Sequence, residues 1–571
     1  MKSLLRATLL VLGTAVALPA QQSQVPLPPP PAPKPIKMAP KPTSAAITAQ
    51  DLMSRLYVYA DDSMAGREFA TEANTRATAW IADQVKKIGL VPMGDNGSYF
   101  QVLPVVTRTL DVSVQLSTQG GAVNWWTDAI PRDQGAGARS IDGVPVVFGG
   151  TWGEPGLLTD AQVAGKVVVV RPSAKAAQGT QVPGATINRG LVSQRYKSAA
   201  GIIVPSLELI PMEVREGLKA GITEMKDGEE SPAAPTFVYV TGAVGQQLFS
   251  QPLDALQPGA TGTSFSGSPK YVDVPIPTPA RNVVGMLVGS NPKLKGQIVA
   301  VGAHNDHIGT HGPAVDHDSL YLFNHLFRPL GADMNAPKLT VDQTAQLRSA
   351  IDSVRKLRPA RLDSIYNGAD DDGTGTVSVL EIAEAMAAMR TKPERSILFV
   401  WHTGEEAGLF GSQWFTDHPT VSRDSIVAQI NIDMVGRGEA WDIAEGKPGY
   451  VQVIGSRRLS TELGDIVEKV NTSKKHGIAF DYQFDANGHP QQYYCRSDHY
   501  MYARYGIPVA FFSTGGHSDY HQQSDEPQYI NYGHMAQIDN FIKDHVIAVA
   551  NLDHRIVVDK PKPDPKGQCV Q

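Results

Sequence analysis

The chain has 571 residues, more than a single core ordinarily organises, so two or three domains are expected. Its 42% apolar content is that of a soluble protein, and a net charge of −6 with no long basic run excludes the electrostatic footprint of a nucleic-acid binder. With only Cys495 and Cys569 present, disulfides do not build the fold, although the two could pair in an oxidising compartment or Cys569 could stay free in a polar tail.

Lys2 and Arg6 precede an apolar run over 9–19 and a small-residue exit at Ala20, so residues 1–20 read as a signal peptide. The run is too short to span a membrane comfortably and no other stretch looks transmembrane, which predicts a secreted or periplasmic protein. Residues 21–47 are a Pro-rich linker, expected to hold the folded part away from the N-terminus as an extended tether. Amphipathic helices are predicted over 51–60 and 74–88, the second closed by Gly89, and Arg67 between them reads as one half of an interior salt bridge. Over 106–274 the texture changes to short apolar strands at 144–148, 165–171, 199–205 and 234–240, separated by Gly and Pro. That segment has no His and no tight acidic cluster, which suits a cover or recognition module.

From 275 to 555 strands, loops and helices alternate, with strands at 282–288, 297–302, 396–401, 426–432 and 507–512. Together with the earlier helices, 48–105, this predicts an α/β fold, a mostly parallel mixed sheet flanked by helices. Ligands in such sheets gather at the carboxyl ends of the strands. Residues 556–571 form a polar C-terminal tail.

The most informative stretch is 367–376, where Asp370, Asp371 and Asp372 sit in a small-residue turn opening a helix at Gly375. Adjacent carboxylates repel one another unless a cation lies among them, so a metal is implied. A calcium-loop template also matches, with Asp370, Asp372, Thr374 and Ser378 as ligand positions and Glu381 closing the loop. Gly368 and Pro359 spoil the helix that should enter such a loop, and the chain has no second copy of the motif. Elsewhere, predicted strand ends deliver His304, Asp306 and His307; His402, Glu405 and Glu406; Asp433; and His517, Asp519 and His521. Singly these have plain structural readings: a hydrogen-bonded imidazole, a solvated turn, a helix cap. Their convergence on one edge of the sheet points to a metal site.

In their order, residues 302–309, 368–375, 405–412, 431–434 and 496–500, followed by His521, closely resemble the two-zinc metallopeptidase family of bacterial leucyl aminopeptidases, glutamate carboxypeptidase and the transferrin receptor. Residues 164–170 and 199–204 resemble the protease-associated domain inserted in several of its members. The resemblance implies two Zn2+ per chain, held by His304 and Asp433 on one side, Glu406 and His521 on the other, and Asp371 as the bridge, with the bond to Asp372 commonly cis. It also implies Glu405 as general base toward the water between the ions, Asp306 as the group fixing the His304 ring, and Tyr494 as oxyanion donor, with Tyr493 the competing choice. His307, His402, His499 and His517 then read as structural or substrate-facing. The expected activity is that of a secreted aminopeptidase acting on peptides. A carboxypeptidase or dipeptidase would need a cation for the substrate carboxylate, for which Arg437 and Arg496 are candidates. A one-zinc cyclase conflicts with the full ligand set, and a non-catalytic binding protein conflicts with an intact Glu405. Unlike the family's usual short loop, residues 310–367 intervene between His304 and Asp371, with a predicted helix over 341–357, and read as a rim over the site.

Overall fold

The computed structural model describes residues 34–132, 137–173, 187, 189–226 and 233–571, so the expected signal peptide and the first part of the Pro-rich linker lie outside the described residues. The main sheet contains β1 (Arg281–Leu287), β2 (Ile298–His304), β3 (Ser396–His402), β4 (Ile426–Ile432), β5 (Tyr450–Ile454), β6 (Ala479–Asp481) and β7 (Val509–Ser513), in the order β1-β3-β2-β4-β7-β5-β6. Strands β3, β2, β4 and β7 are parallel, whereas β1 runs against β3, and β5 runs against β7 with β6 parallel to it. Every residue of β2, β3 and β4 is buried. Their near-continuous apolar runs suit strands covered on both faces.

The helices are α1 (Ala49–Tyr59), α2 (Glu72–Ile88), α3 (His317–Phe327), α4 (Val341–Arg355), α5 (Gly375–Ala388), α6 (Thr461–Lys474) and α7 (Tyr532–Ala550); α3 and α4 belong to the 310–367 excursion and pack on each other, and the other five cover the sheet. Thr48 and Thr71 cap α1 and α2 through their side chains, and Gly89 ends α2 at φ 86°. Helix α5 is apolar on nearly every side and buried over most of its length, packing with α1, α2 and α7 in one core on the sheet. An all-round apolar helix is stable only when enclosed in this way. The opposite face carries a second core that includes Phe415, Tyr494, Tyr502 and Phe511.

Between the early helices and β1 the chain builds a separate six-stranded sheet, in which Val146–Thr151, Val167–Arg171, Gly201–Pro205 and Thr236–Val240 are parallel neighbours with cores of their own on both faces. Among the described residues no helix is long and apolar enough to cross a membrane.

Two expectations change. The described end of the Pro-rich stretch lies on the body instead of standing off it: Lys34 Nζ donates to the Ile530 carbonyl at 2.7 Å and Thr43 Oγ1 to Glu384 at 2.8 Å. Arg67 is buried but bonds carbonyls, those of Asn367 at 2.6 Å and Gly368 at 2.8 Å, with its guanidinium over the Tyr59 ring. Of the two alternatives left open for the cysteines, the structure has the bridge: Cys569 forms a disulfide with Cys495, and Gln571 Nε2 donates to the Phe484 and Ala486 carbonyls, so the tail is docked at its end.

Candidate metal centre

Each strand end carries a polar residue because the sheet stops there and the chain turns out of the core. His304 is the last residue of β2, Glu405 and Glu406 lie in the turn after β3, Asp433 follows β4 directly, and His521 lies in the loop beyond β7. The acidic loop comes from the other side, at the entrance of α5. Gly368 starts it at φ 52°, where an added Cβ would meet the Asp371 carbonyl at 2.2 Å and the His307 ring at 2.5 Å, so no side chain fits there. Arg67 grips the carbonyls of Asn367 and Gly368. From the far side the Asp525 carboxylate accepts from the backbone N–H of Asp370 at 2.9 Å and of Asp371 at 3.2 Å. The Asp371–Asp372 peptide is cis.

Held in this way, Asp371 divides its two oxygens. Oδ1 lies 3.1 Å from His304 Nε2, and Oδ2 lies 2.9 Å from His521 Nε2. Asp433 Oδ1 stands 3.8 Å from His304 Nε2, and Glu406 Oε2 stands 3.0 Å from His521 Nε2. Two sets of side chains result whose donor atoms lie close enough to share an ion: His307, Asp371, Glu406 and His521, and next to it His304, Asp372 and Asp433. His521 Nε2, Glu406 Oε1 and Asp433 Oδ1 are buried without a hydrogen-bond partner. Lone pairs that converge without directed hydrogen bonds suit a cation, because leaving buried polar atoms unsatisfied is otherwise costly.

The electrostatics agree. Burial opposes the charge on Asp371, but the hydrogen bond to His304 and the close approach of His521, with His307 nearby, outweigh it and hold the carboxyl well below the ordinary range. Burial also pushes Asp433 up to about 7, against the pull of His304 and with the help of Asp371. Glu405 is raised well above its usual value, chiefly by burial, with Glu406, Asp433 and Asp498 adding and His304 opposing.

Residues 282–546, which contain all of these side chains, match the family described as peptidase family M28. Over that stretch the chain is similar to peptidase family M28. It is 32% identical over 195 residues to leucine aminopeptidase 1 of Sclerotinia sclerotiorum, covering 33% of this chain and 47% of that protein. With leucine aminopeptidase 1 of Penicillium rubens the identity is 28% over 250 residues, 42% of this chain and 60% of that protein. The chain thus spans about half the length of the curated relatives it matches. Among solved structures, a zinc aminopeptidase from Bacillus subtilis superimposes with a TM-score of 0.45 at 17% identity, covering 88% of this chain and 95% of that one.

Within residues 282–546 the structure brings His304, Asp371, Glu405, Glu406, Asp433 and His521 into one place and refines three readings. Tyr494 does not fit the role of oxyanion donor. Its ring is buried in the core under β7, beneath the Arg458 guanidinium, and lines a different cavity beside the C-terminal tail. Tyr493 lines the site cavity, its hydroxyl accepting from the Gly516 N–H at 3.4 Å. In a short turn, neighbouring side chains point to opposite sides, and the sequence alone leaves that choice open. The His304 ring is oriented by the Asp306 backbone carbonyl, 3.0 Å from Nδ1, whereas the Asp306 carboxylate accepts from the Glu405 N–H at 3.1 Å and sets the turn that carries Glu405. His307 Nδ1, read as structural or substrate-facing, comes within 2.8 Å of Glu406 Oε1 and enters the first cluster.

Asp372 spends both oxygens on the backbone N–H groups of His304, Gly375 and Met434. The calcium-loop template dissolves, since Glu381 pairs with Arg55 in the core, away from the loop. His402 bonds Tyr502 and faces Asp498, His499 stacks on Phe511, and His517 pairs with Asp370 at 3.2 Å. Asp525 was missed by sequence reasoning, and its only signal is its place four residues after His521.

Proposed function

We propose that this chain is a secreted zinc-dependent exopeptidase, an aminopeptidase that holds two Zn2+ and releases residues from the free amino end of peptides. The observation that carries this reading is Asp371, a buried carboxylate with one oxygen against His304 and the other against His521, as a bridge between two ions requires. His304 and Asp433 would hold one ion and Glu406 and His521 the other, with His307 beside the second. Zinc, when bound, supplies Lewis acidity toward the scissile carbonyl and lowers the pKa of water at the site.

The protein's own groups do the rest. Glu405 lines the cavity with its backbone N–H fixed by Asp306, placed to take a proton from the attacking water and return it to the leaving amine. Tyr493, in place of Tyr494, donates to the developing oxyanion. Arg437, one candidate partner for a substrate carboxylate, is fully buried and already meets Asp442, Asp519 and Asp525. The relatives' printed name, leucine aminopeptidase, supports the same choice. The Cys495–Cys569 disulfide supports export to an oxidising compartment. We read the 106–274 body as a protease-associated-like cover.

The test is a panel of dipeptide amides with free and acetylated amino ends, assayed with zinc present. Turnover of the free-amine members alone is expected. Cleavage of blocked peptides with a free carboxyl end would move the assignment to a carboxypeptidase.

A further inference from the structure

The 310–367 excursion does more than rim the site. Its short turn Gly331–Asp333 is seated on the loop that carries His521: the Ala332 N–H donates to the Tyr520 carbonyl at 3.0 Å, and Gly331, at φ 51°, lies so close that an added Cβ would meet that oxygen at 2.5 Å. Upstream, Arg328 Nη1 on the same excursion donates to the Gln522 side chain at 3.2 Å. The seat therefore allows only glycine at 331 and delivers the next acidic side chain, Asp333, to the cavity wall.

There Asp333 meets Arg496, the only cation among the described residues that line the cavity. The guanidinium fork is filled: Nη1 lies 3.0 Å from Asp333 Oδ2 and Nη2 lies 3.2 Å from Oδ1, and Nη2 also donates to the Tyr520 hydroxyl at 3.0 Å. The Tyr493 and Tyr520 rings stand within 5.4 and 5.9 Å of it. A free arginine fork in this place would grip a ligand carboxylate bidentately, since both are planar and matched in spacing. Filled by Asp333, it offers nothing to an incoming carboxylate, and the Asp333 charge repels one.

We propose that Asp333 is a specificity-determining residue that neutralises Arg496 and so turns the site away from free dipeptides, whose carboxylate must enter the cavity, toward longer peptides whose first residues carry none. Arg496 and Asp333 line the same cavity as Asp371, Glu405 and Glu406, so the carboxylate of a dipeptide whose amino end sits at the metal centre comes up against this pair. This rests on the aminopeptidase reading above and narrows its substrate class. An excursion that served only as a structural clamp would leave the preference between a dipeptide and its amide untouched by an isosteric change at 333.

The experiment compares binding of Leu-Gly and Leu-Gly-amide by calorimetry to the full chain, zinc-loaded and carrying Glu405→Gln to stop turnover. Preference for the amide is expected. Adding Asp333→Asn, or Asp333→Ala should the first variant fail to fold, is expected to shift the ratio of the two affinities toward the free acid by about tenfold, the size of one charge-assisted contact. Adding Arg496→Gln to either should cancel that shift. A ratio that stays within about twofold, a shift that survives without Arg496, or no binding of either ligand overturns the proposal. Failure of the aminopeptidase reading is seen separately, as absent turnover of Leu-Gly-amide by the unsubstituted protein while the shift in binding persists.

Discussion

Asp525 touches no substrate in this account, yet its removal should loosen the metal centre. Its carboxylate accepts from two consecutive backbone N–H groups, those of Asp370 and Asp371, at 2.9 and 3.2 Å. Hydrogen bonds to a charged group contribute about 1.5–3 kcal/mol each, so the gross contribution is roughly 3–6 kcal/mol. Against this stands the cost of burying the carboxyl, whose pKa is raised by burial and by Asp370 even though His517 and Arg437 pull it down. A net loss of about 2–3 kcal/mol in the hold on the loop is therefore expected for Asp525→Ala. Arg437 keeps Asp442 and Asp519 as partners, so no unpaired buried cation confuses the result. Groups that orient metal ligands typically affect metal affinity by about 10–100-fold, and the loss in Asp525→Ala should fall in that range. Asp525→Asn, which keeps one acceptor oxygen, should lose less. Chelator competition for zinc reads the affinity, and thermal unfolding of the zinc-free protein reads the loop. Zinc affinity within about twofold of the unsubstituted protein would refute the reasoning.

Glu405→Gln should keep its metal while losing most of its turnover, about 10²–10⁴-fold, as expected for a proton-transfer group, and unchanged kcat would remove Glu405 as base. His545, buried in α7 against Phe512 and Phe541, has its pKa pushed down to about 3 by burial. Between that value and the ordinary 6.5 the unfolded chain binds a proton that the folded chain does not, so stability falls as pH drops through this window, by about 1.4 kcal/mol at pH 5.5. His545→Phe should abolish that loss, and denaturant unfolding with an unchanged pH slope would contradict it.

Much of the fold was legible in the sequence because its signals are local. The apolar runs at 396–401 and 426–432 lie within β3 and β4, and the predicted helix over 341–357 is α4, Val341–Arg355. Helix α3 was not foreseen, since His317, Tyr321 and His325 on it look polar in sequence. In the structure the three form a stack with Tyr529 from the far side of the site, a contact no local pattern reveals. The site divides in the same way. His304, Asp371, Glu405, Glu406, Asp433 and His521 were visible through their positions at strand ends and in the acidic loop. Asp525 and Asp333 were not, because each acts through a contact with a residue distant in the chain. The choice between Tyr493 and Tyr494 depends on which side of a single turn faces the cavity.

The central claim is that Asp371 bridges two metal ions. It is tested most directly by stripping the protein with chelator and titrating zinc back, while following bound metal by elemental analysis and hydrolysis of leucine amide. About two zinc ions per chain are expected, with full turnover only when the second is in place and a second site lost in Asp371→Ala. Full activity with one ion, or a single tightly held calcium and no zinc, would contradict it.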